Sequence, residues 1–152
     1  MERTANWILH NIPDVTNKKL QKLMYYAYAW YLVLFNEDEN DLENRLFSNS
    51  FQAWVHGPVI PELYQMLKEY QGDVIPVDVF DKHNYKKFNA DELDLLNQIK
   101  EVYGNYNGNQ LESITHQETP WKNARGNCGA YDICKNKISD KDIFCYYSQR
   151  LE

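Results

Sequence analysis

Two short segments of the chain hold the residues best suited to acid–base or nucleophilic chemistry. FQAWVHGPVIPELY, at 51–64, contains His56, and LESITHQETPWKNAR, at 111–125, contains His116 beside the hydroxyl of Thr115. A histidine acts as a general base only when a nucleophile and an orienting carboxylate lie within hydrogen-bond reach. A serine and two glutamates close to His116 supply these residue types. The sequence therefore leaves open a hydrolase or transferase that uses His116.

Other features of the sequence argue against an enzyme. The chain contains no nucleophile elbow, phosphate-binding glycine loop, HExxH or GxGxxG motif. Cys128, Cys134 and Cys145 could be combined with His116 as zinc ligands, but their spacing includes no CxxC pair. We therefore predict no catalytic residue, no cofactor and no metal site, and we expect the cysteines to be small buried hydrophobic residues.

The charge and the N-terminus restrict the compartment and the partners. The 22 acidic residues exceed the 16 Lys and Arg residues, for a net charge of −6, which makes nucleic acid an improbable partner. The N-terminus lacks the apolar run of a signal peptide, and three cysteines are an odd number. These features indicate a cytoplasmic protein that is not inserted in a membrane.

One block of acidic residues interrupts the first half of the chain. It contains Glu37, Asp38, Glu39, Asp41 and Glu43. Such a block is typical of a solvated loop between two ordered elements. The alternative is that it guides a basic protein partner electrostatically.

The elements that must position these segments surround one apolar helix. Residues 23–35, LMYYAYAWYLVLF, are apolar on all sides, with Thr16 as the expected cap, and are too short to cross a bilayer. Such a helix belongs at the centre of a fold. Tyr25, Tyr26 and Trp30 share one of its sides, roughly opposite Leu20, Leu23 and Ala27. Either both faces pack under neighbouring helices or one of them forms an exposed groove.

Five further helices are predicted from apolar periodicity and capping residues. They are a helix through Ala5–Ile12, one from Pro58 or Pro61 to Gly72, one from the Asn89–Glu92 capping pair to Gly104, one capped by Asn109, and one capped by Ser139. Residues 46–55 and 74–80 are typical of short strands, and 126–137 of a loop. The predicted fold is mainly α: residues 1–152 form a single compact helical domain around a buried central helix, with a small β appendage.

The two segments named first also have a purely structural interpretation. Trp54 and His56 flank a bend at Gly57 and Pro58, and Trp121 follows Pro120 where the chain changes direction. An aromatic residue beside a proline in a turn commonly closes the edge of a core. This interpretation competes with the catalytic one.

Four blocks of the sequence, in order and spacing, resemble the Panacea domain, a family that includes SocA-like antitoxins and the phage-associated proteins called GepA. The blocks are KLQKLMYYAYAWYLVL at 19–34, the two segments at 51–64 and 111–125, and ISDKDIFCYY at 138–147. The residues that match the shared motifs are Trp54, Gly57, Pro58, Glu62, Leu63, Tyr64, Thr115, His116, Pro120 and Trp121, and His56 lies within the first motif.

The resemblance implies a function that the residues alone do not give. It implies an antitoxin-like protein-binding module, not an enzyme, that neutralises a cognate toxin protein by direct contact. Some members of the family resemble adaptors that deliver the toxin to a AAA+ protease, which makes such a protease a second expected partner. A phage-associated binding protein without a toxin is the alternative within the same family. The motif residues are then expected to be structural or to bind the partner.

Overall fold

The structure, a computed structural model that describes residues 1–151, is mainly helical. Its elements in chain order are α1 (Glu2–Asn11), α2 (Asn17–Phe35), β1 (Gln52–Trp54), β2 (Gly57–Val59), α3 (Pro61–Leu67), α4 (Ala90–Tyr103), α5 (Gly108–His116), α6 (Thr119–Arg125) and α7 (Asp140–Ser148). One turn of 3-10 helix, Lys68–Tyr70, continues α3. The predicted mainly α fold with a small β element is confirmed.

Helix α2 lies at the centre of the structure because its residues 23–35 are apolar on all sides. Fourteen of its nineteen residues are buried, and it packs against five other helices and β2. Thr16 caps its first turn by accepting the N–H of Lys19 at 3.2 Å, as predicted. Neither it nor any other helix in residues 1–151 combines the length and apolarity needed to cross a membrane.

The aromatic side of α2 is covered rather than open. Tyr25 and Tyr26 are 1% and 0% exposed, and the Tyr26 ring stacks on that of Tyr103 in α4 with centroids 4.1 Å apart. Trp30 is half-buried and donates its indole N–H to the Tyr103 hydroxyl at 3.0 Å. The alternative of an exposed groove on this side is therefore wrong.

Local side-chain caps determine where the other helices begin. Asn89 and Glu92 form the predicted capping box of α4, and Ser139 caps α7 as predicted. Helix α5 begins earlier than predicted, because Asn107, not Asn109, forms a capping box with Gln110.

The β element is a single antiparallel hairpin in which Trp54 lies opposite Gly57. Of the strand predicted at 46–55, only Gln52–Trp54 forms, and the predicted strand at 74–80 is wrong. That second segment consists of turns, with one isolated bridge between Thr16 and Val74. Pro76 has no N–H for a ladder, and the hairpin offers this segment no partner strand.

Candidate functional site

The two segments that hold His56 and His116, 51–64 and 111–125, meet in the structure. Trp121 in α6 donates its indole N–H to the backbone carbonyl oxygen of Trp54 at 2.9 Å. The ring of His116 stacks on the indole of Trp121, with centroids 4.1 Å apart and planes inclined by 16°. Residues that are far apart in the chain thus form one cluster at the end of the hairpin.

Gly57 allows the hairpin to approach the central helix closely. Its φ of +104° lies in the region that glycine adopts without strain. A Cβ atom at this position would lie 2.8 Å from Cε of Lys22 and 3.0 Å from Oγ1 of Thr115. The adjacent carbonyl oxygen of Pro58 accepts a hydrogen bond from Nζ of Lys22 at 3.0 Å. The Gly-Pro corner therefore packs directly on Lys22 and Thr115.

Lys22 in α2 is buried, which is rare for a lysine. Only 1% of the residue is exposed, and burial lowers its pKa from 10.5 to about 7. The charge of Lys18 lowers this pKa further, whereas Glu112 raises it. The spacing of lysines in a helix does not reveal this burial, because only the tertiary fold places the hairpin over Lys22.

Glu112 in α5 contacts two basic side chains at this corner. Its two carboxylate oxygens lie 2.6 Å from Nζ of Lys18 and 3.2 Å from Nδ1 of His56. Burial acts to raise the pKa of Glu112, but the hydrogen bonds from Lys18 and His56 outweigh it and lower the pKa. His56 itself is largely exposed, so it forms the outer edge of the cluster.

The surroundings of His116 do not form a nucleophile–base pair. The Thr115 hydroxyl donates to the backbone carbonyl of Glu112 at 2.8 Å, and Thr115 is 1% exposed. Nε2 of His116 is buried without a hydrogen-bond partner in residues 1–151. Burial lowers the pKa of His116, and the charge of Glu112 opposes this shift. The ring therefore serves as a stacking surface for Trp121 in this arrangement.

The remaining motif residues lie in the core, beside this cluster and at the surface. Leu63 in α3 is fully buried in the core. Pro120 is buried in the first turn of α6. The Tyr64 ring contacts the Trp54 indole edge-on, with centroids 5.0 Å apart. Glu62 is exposed in the first turn of α3, away from the cluster.

Sequence reasoning missed two buried polar groups that hold the cluster in place. Glu118 accepts hydrogen bonds from the hydroxyls of Tyr26 and Tyr147 at 2.9 and 2.8 Å. Arg125, 5% exposed, donates to the carbonyl oxygens of Ala53 and Asp132 at 3.1 and 3.2 Å. Burial raises the pKa of Glu118, and the two tyrosine hydrogen bonds counteract this shift.

A cavity of about 670 Å³ opens beside the hairpin, between α2, α3 and residues 133–135. We name it the corner cavity. It is lined by Asn17, Lys18, Gln21, Lys22, Trp54, Val55, His56, Val59, Tyr64, Lys68, Gln71, Gly72, Ile133, Cys134 and Lys135. This volume falls in the range of sites that bind small organic molecules.

The cysteines are placed separately, and only one is fully buried. Cys134 is 3% exposed, whereas Cys128 and Cys145 are partly exposed, so the expectation of three buried cysteines holds for Cys134 alone. The Cys145 thiol donates to a carboxylate oxygen of Glu39 at 2.6 Å. Residues 1–151 contain no group of three or more His, Cys, Asp or Glu side chains placed to hold a metal ion.

Comparison with known proteins identifies one family. The family model described as "Antitoxin SocA-like, Panacea domain" matches residues 20–122, which include most of α2, the hairpin and the whole of α5. No curated protein and no solved structure matches the chain.

Proposed function

The chain belongs to the Antitoxin SocA-like, Panacea-domain family, and from this membership we propose that it neutralises a cognate toxin protein by direct contact, without covalent chemistry of its own. The cluster of Trp54, His116 and Trp121 supports a structural role for the motif. Its members stack and hydrogen-bond with one another, and the hydroxyl of Thr115 is engaged by a backbone carbonyl.

The observation that suggests where the toxin would bind is an exposed pair of apolar side chains on one loop. We call residues 126–138 the Tyr131 loop, because Tyr131 and Ile133 on it are 91% and 87% exposed. Aromatic and aliphatic side chains that project in this way are suitable anchors for a protein interface. These two residues are therefore the proposed contacts to the toxin.

The Tyr131 loop is held in its conformation by polar contacts. Arg125 donates to the carbonyl oxygens of Gly129 and Asp132, and the Gly129 N–H donates to the Asp132 carboxylate at 3.0 Å. Asn136 donates to the carbonyl oxygen of Ala124 at 3.0 Å. A loop that is ordered before binding loses less conformational entropy when the partner binds.

The test is rescue of growth when the chain is co-expressed with the product of the neighbouring gene. Wild-type protein should restore growth and bind that product in a pull-down. The double variant Tyr131→Ser with Ile133→Ser should weaken binding at least about tenfold, because anchor residues carry most of the energy of an interface. Its melting temperature should stay unchanged, since both side chains are exposed.

A matched control is Val102→Ser on α4, which removes another exposed apolar side chain, 60% exposed, outside the Tyr131 loop. This variant should rescue growth like the wild type. Rescue by the double variant would remove the Tyr131 loop from the interface. Absence of both binding and rescue by the wild type would contradict toxin neutralisation and favour the phage-associated binding protein.

The same experiment addresses the adaptor role. If the chain delivers the toxin to a AAA+ protease, the amount of toxin should fall on co-expression and should recover in a strain that lacks the protease. A constant amount of toxin with restored growth would indicate neutralisation by binding alone.

A further inference from the structure

The corner cavity combines a ligand-sized volume with an unusual distribution of charge. The chain carries a net charge of −6, yet four lysines and one histidine line the cavity and no acidic residue does. Two of these side chains, Lys18 and His56, already contact the carboxylate of Glu112. The other three lysines are not paired in this way.

Three lysines of the cavity wall have no carboxylate partner in residues 1–151. Lys22 is fully buried, and its one hydrogen bond goes to the carbonyl oxygen of Pro58, although an ammonium group has three donors. Lys68 and Lys135 are exposed in the lining, one in the 3-10 turn after α3 and the other on the Tyr131 loop. The charges of Lys68 and Lys135 produce a positive potential inside a concave, partly apolar site, where it is screened less than on an open surface.

The rest of the wall is suited to an apolar body. Trp54 and Tyr64 meet edge-to-face there, and Val59 and Ile133 add aliphatic surface. Binding sites for small molecules commonly consist of such apolar walls with a few polar groups that fix the orientation.

We propose that the corner cavity binds a small organic anion, a carboxylate or phosphate monoester with an aromatic or branched aliphatic body. The body lies against Trp54 and Tyr64, and the anionic group is held by Lys68 and Lys135. This site goes beyond the proposed antitoxin role. A free small molecule fits better than an extended peptide, because the site is a concave cavity of about 670 Å³.

The test uses the full chain and NMR of the tryptophan indole N–H groups. The probes are indole-3-acetate and phenyl phosphate, each an aromatic anion, with the neutral indole-3-acetamide and inorganic phosphate as their counterparts. We expect the anions that carry a ring to shift the Trp54 resonance in a saturable way. Trp7 on α1, outside the cavity, should not shift and is the internal control.

Two pairs of lysine variants separate the effect of the site from that of net charge. Lys68→Met with Lys135→Met should weaken binding at least about tenfold, because each removes a charge-assisted contact. Lys82→Met with Lys87→Met removes two exposed charges outside the cavity and should leave binding unchanged. All four side chains are exposed, so folding should be preserved.

Four results would overturn the proposal. Two concern the probes: the Trp54 resonance does not shift with either aromatic anion, or it shifts equally with the neutral indole-3-acetamide. Two concern the variants: both lysine pairs weaken binding of the anion equally, or the Lys68→Met, Lys135→Met variant binds it as tightly as the wild type. A shift of Trp54 caused by the purified toxin but by neither probe would also overturn it and would assign the cavity to the protein partner. None of these results bears on growth rescue, so this proposal and the toxin-neutralising role can fail separately.

Discussion

The indole N–H of Trp121 donates to the backbone carbonyl oxygen of Trp54 at 2.9 Å, and this bond joins two segments that lie 67 positions apart in the chain. It connects α6 to the end of β1, at the point where the hairpin turns towards α2. His116 covers the other part of the Trp121 indole by stacking on it. The two tryptophans therefore fix the hairpin on the helical body.

Replacing Trp121 by Phe should destabilise the protein by about 1–3 kcal/mol, because the carbonyl of Trp54 loses its donor in a partly buried position. The free energy of unfolding from urea titration measures this loss. Trp7→Phe is the matched control, since the indole N–H of Trp7 donates to no protein atom in residues 1–151. An equal loss in both variants would show that ring size, not the hydrogen bond, matters.

Gly57→Ala should destabilise the protein by about 1–3 kcal/mol, through the positive φ and the clash with Lys22. Gly72→Ala is the control, because an added Cβ there meets no atom within 4 Å. That variant should be neutral or slightly more stable, since alanine restricts the unfolded chain. The melting temperatures of both variants, measured by thermal unfolding, test these two expectations. A harmless Gly57→Ala would mean that the corner can move away from Lys22.

The buried amino group of Lys22 should make stability depend on pH. Its pKa is lowered by burial from 10.5 to about 7 in the folded state, so between these values the unfolded chain binds a proton that the folded chain does not. The free energy of unfolding therefore rises with pH in this window, by at most about 1.4 kcal/mol per pH unit. Below about pH 7 both states are protonated and the contribution is constant.

The comparison with Lys22→Met isolates this effect, because the other titrating groups are present in both proteins. The stability of the wild type relative to the variant should increase between about pH 7 and about pH 9, as measured by urea unfolding at each pH. A constant difference would show that Lys22 keeps its ordinary pKa in the folded protein.

Glu118 should be required as a hydrogen-bond acceptor for two buried tyrosines. Glu118→Leu leaves the hydroxyls of Tyr26 and Tyr147 without their acceptor, which should cost about 2 kcal/mol or more. Glu118→Gln retains a carbonyl oxygen and should cost less. Chemical denaturation measures the free energy of unfolding of the two variants. Equal losses would indicate that the negative charge of Glu118, not its acceptor oxygen, is what the tyrosines need.

Features of the fold that depend on neighbouring residues could be predicted from the sequence. The capping box of Asn89 and Glu92 and the cap at Ser139 act within one helical turn, so their spacing alone locates α4 and α7. The all-round apolar character of α2 likewise predicted its central position. The family motif identified Trp54 and Trp121 as candidate residues but did not show that they contact each other.

Features that depend on distant partners could not be predicted in this way. The segment 74–80 has strand-like residues, but whether it forms a strand depends on a partner that the fold does not provide. Lys22, Glu118 and Arg125 are ordinary charged residues in the sequence. They become buried because a hairpin, two tyrosines and a loop from other parts of the chain cover them.

The acidic block at 37–43 provides a prediction about association rather than stability. Glu37, Asp38, Asp41 and Glu43 are exposed. The side-chain amide of Asn36 ties the ends of this loop together, because it donates to the carbonyl oxygen of Asn44 at 2.8 Å and accepts from the N–H of Asn44 at 3.1 Å. Its charges therefore stay in place at the surface, where they can attract a basic partner. Reversing all four exposed charges to Lys should slow association with the toxin at low salt if this attraction operates.

Stopped-flow association rates over a range of salt concentrations measure this effect. The wild type should lose its rate advantage over the reversed variant as salt screens the charges. A control separates the position of the charges from net charge. The variant Asp38→Lys with Asp41→Lys is compared with Asp94→Lys with Glu101→Lys, which reverses two exposed charges on α4 and therefore has the same net charge. Equal rates for these two variants would assign the effect to net charge alone. A rate that does not respond to reversal of the acidic block would remove its guiding role, since electrostatic steering acts on the encounter itself and not on contacts formed later.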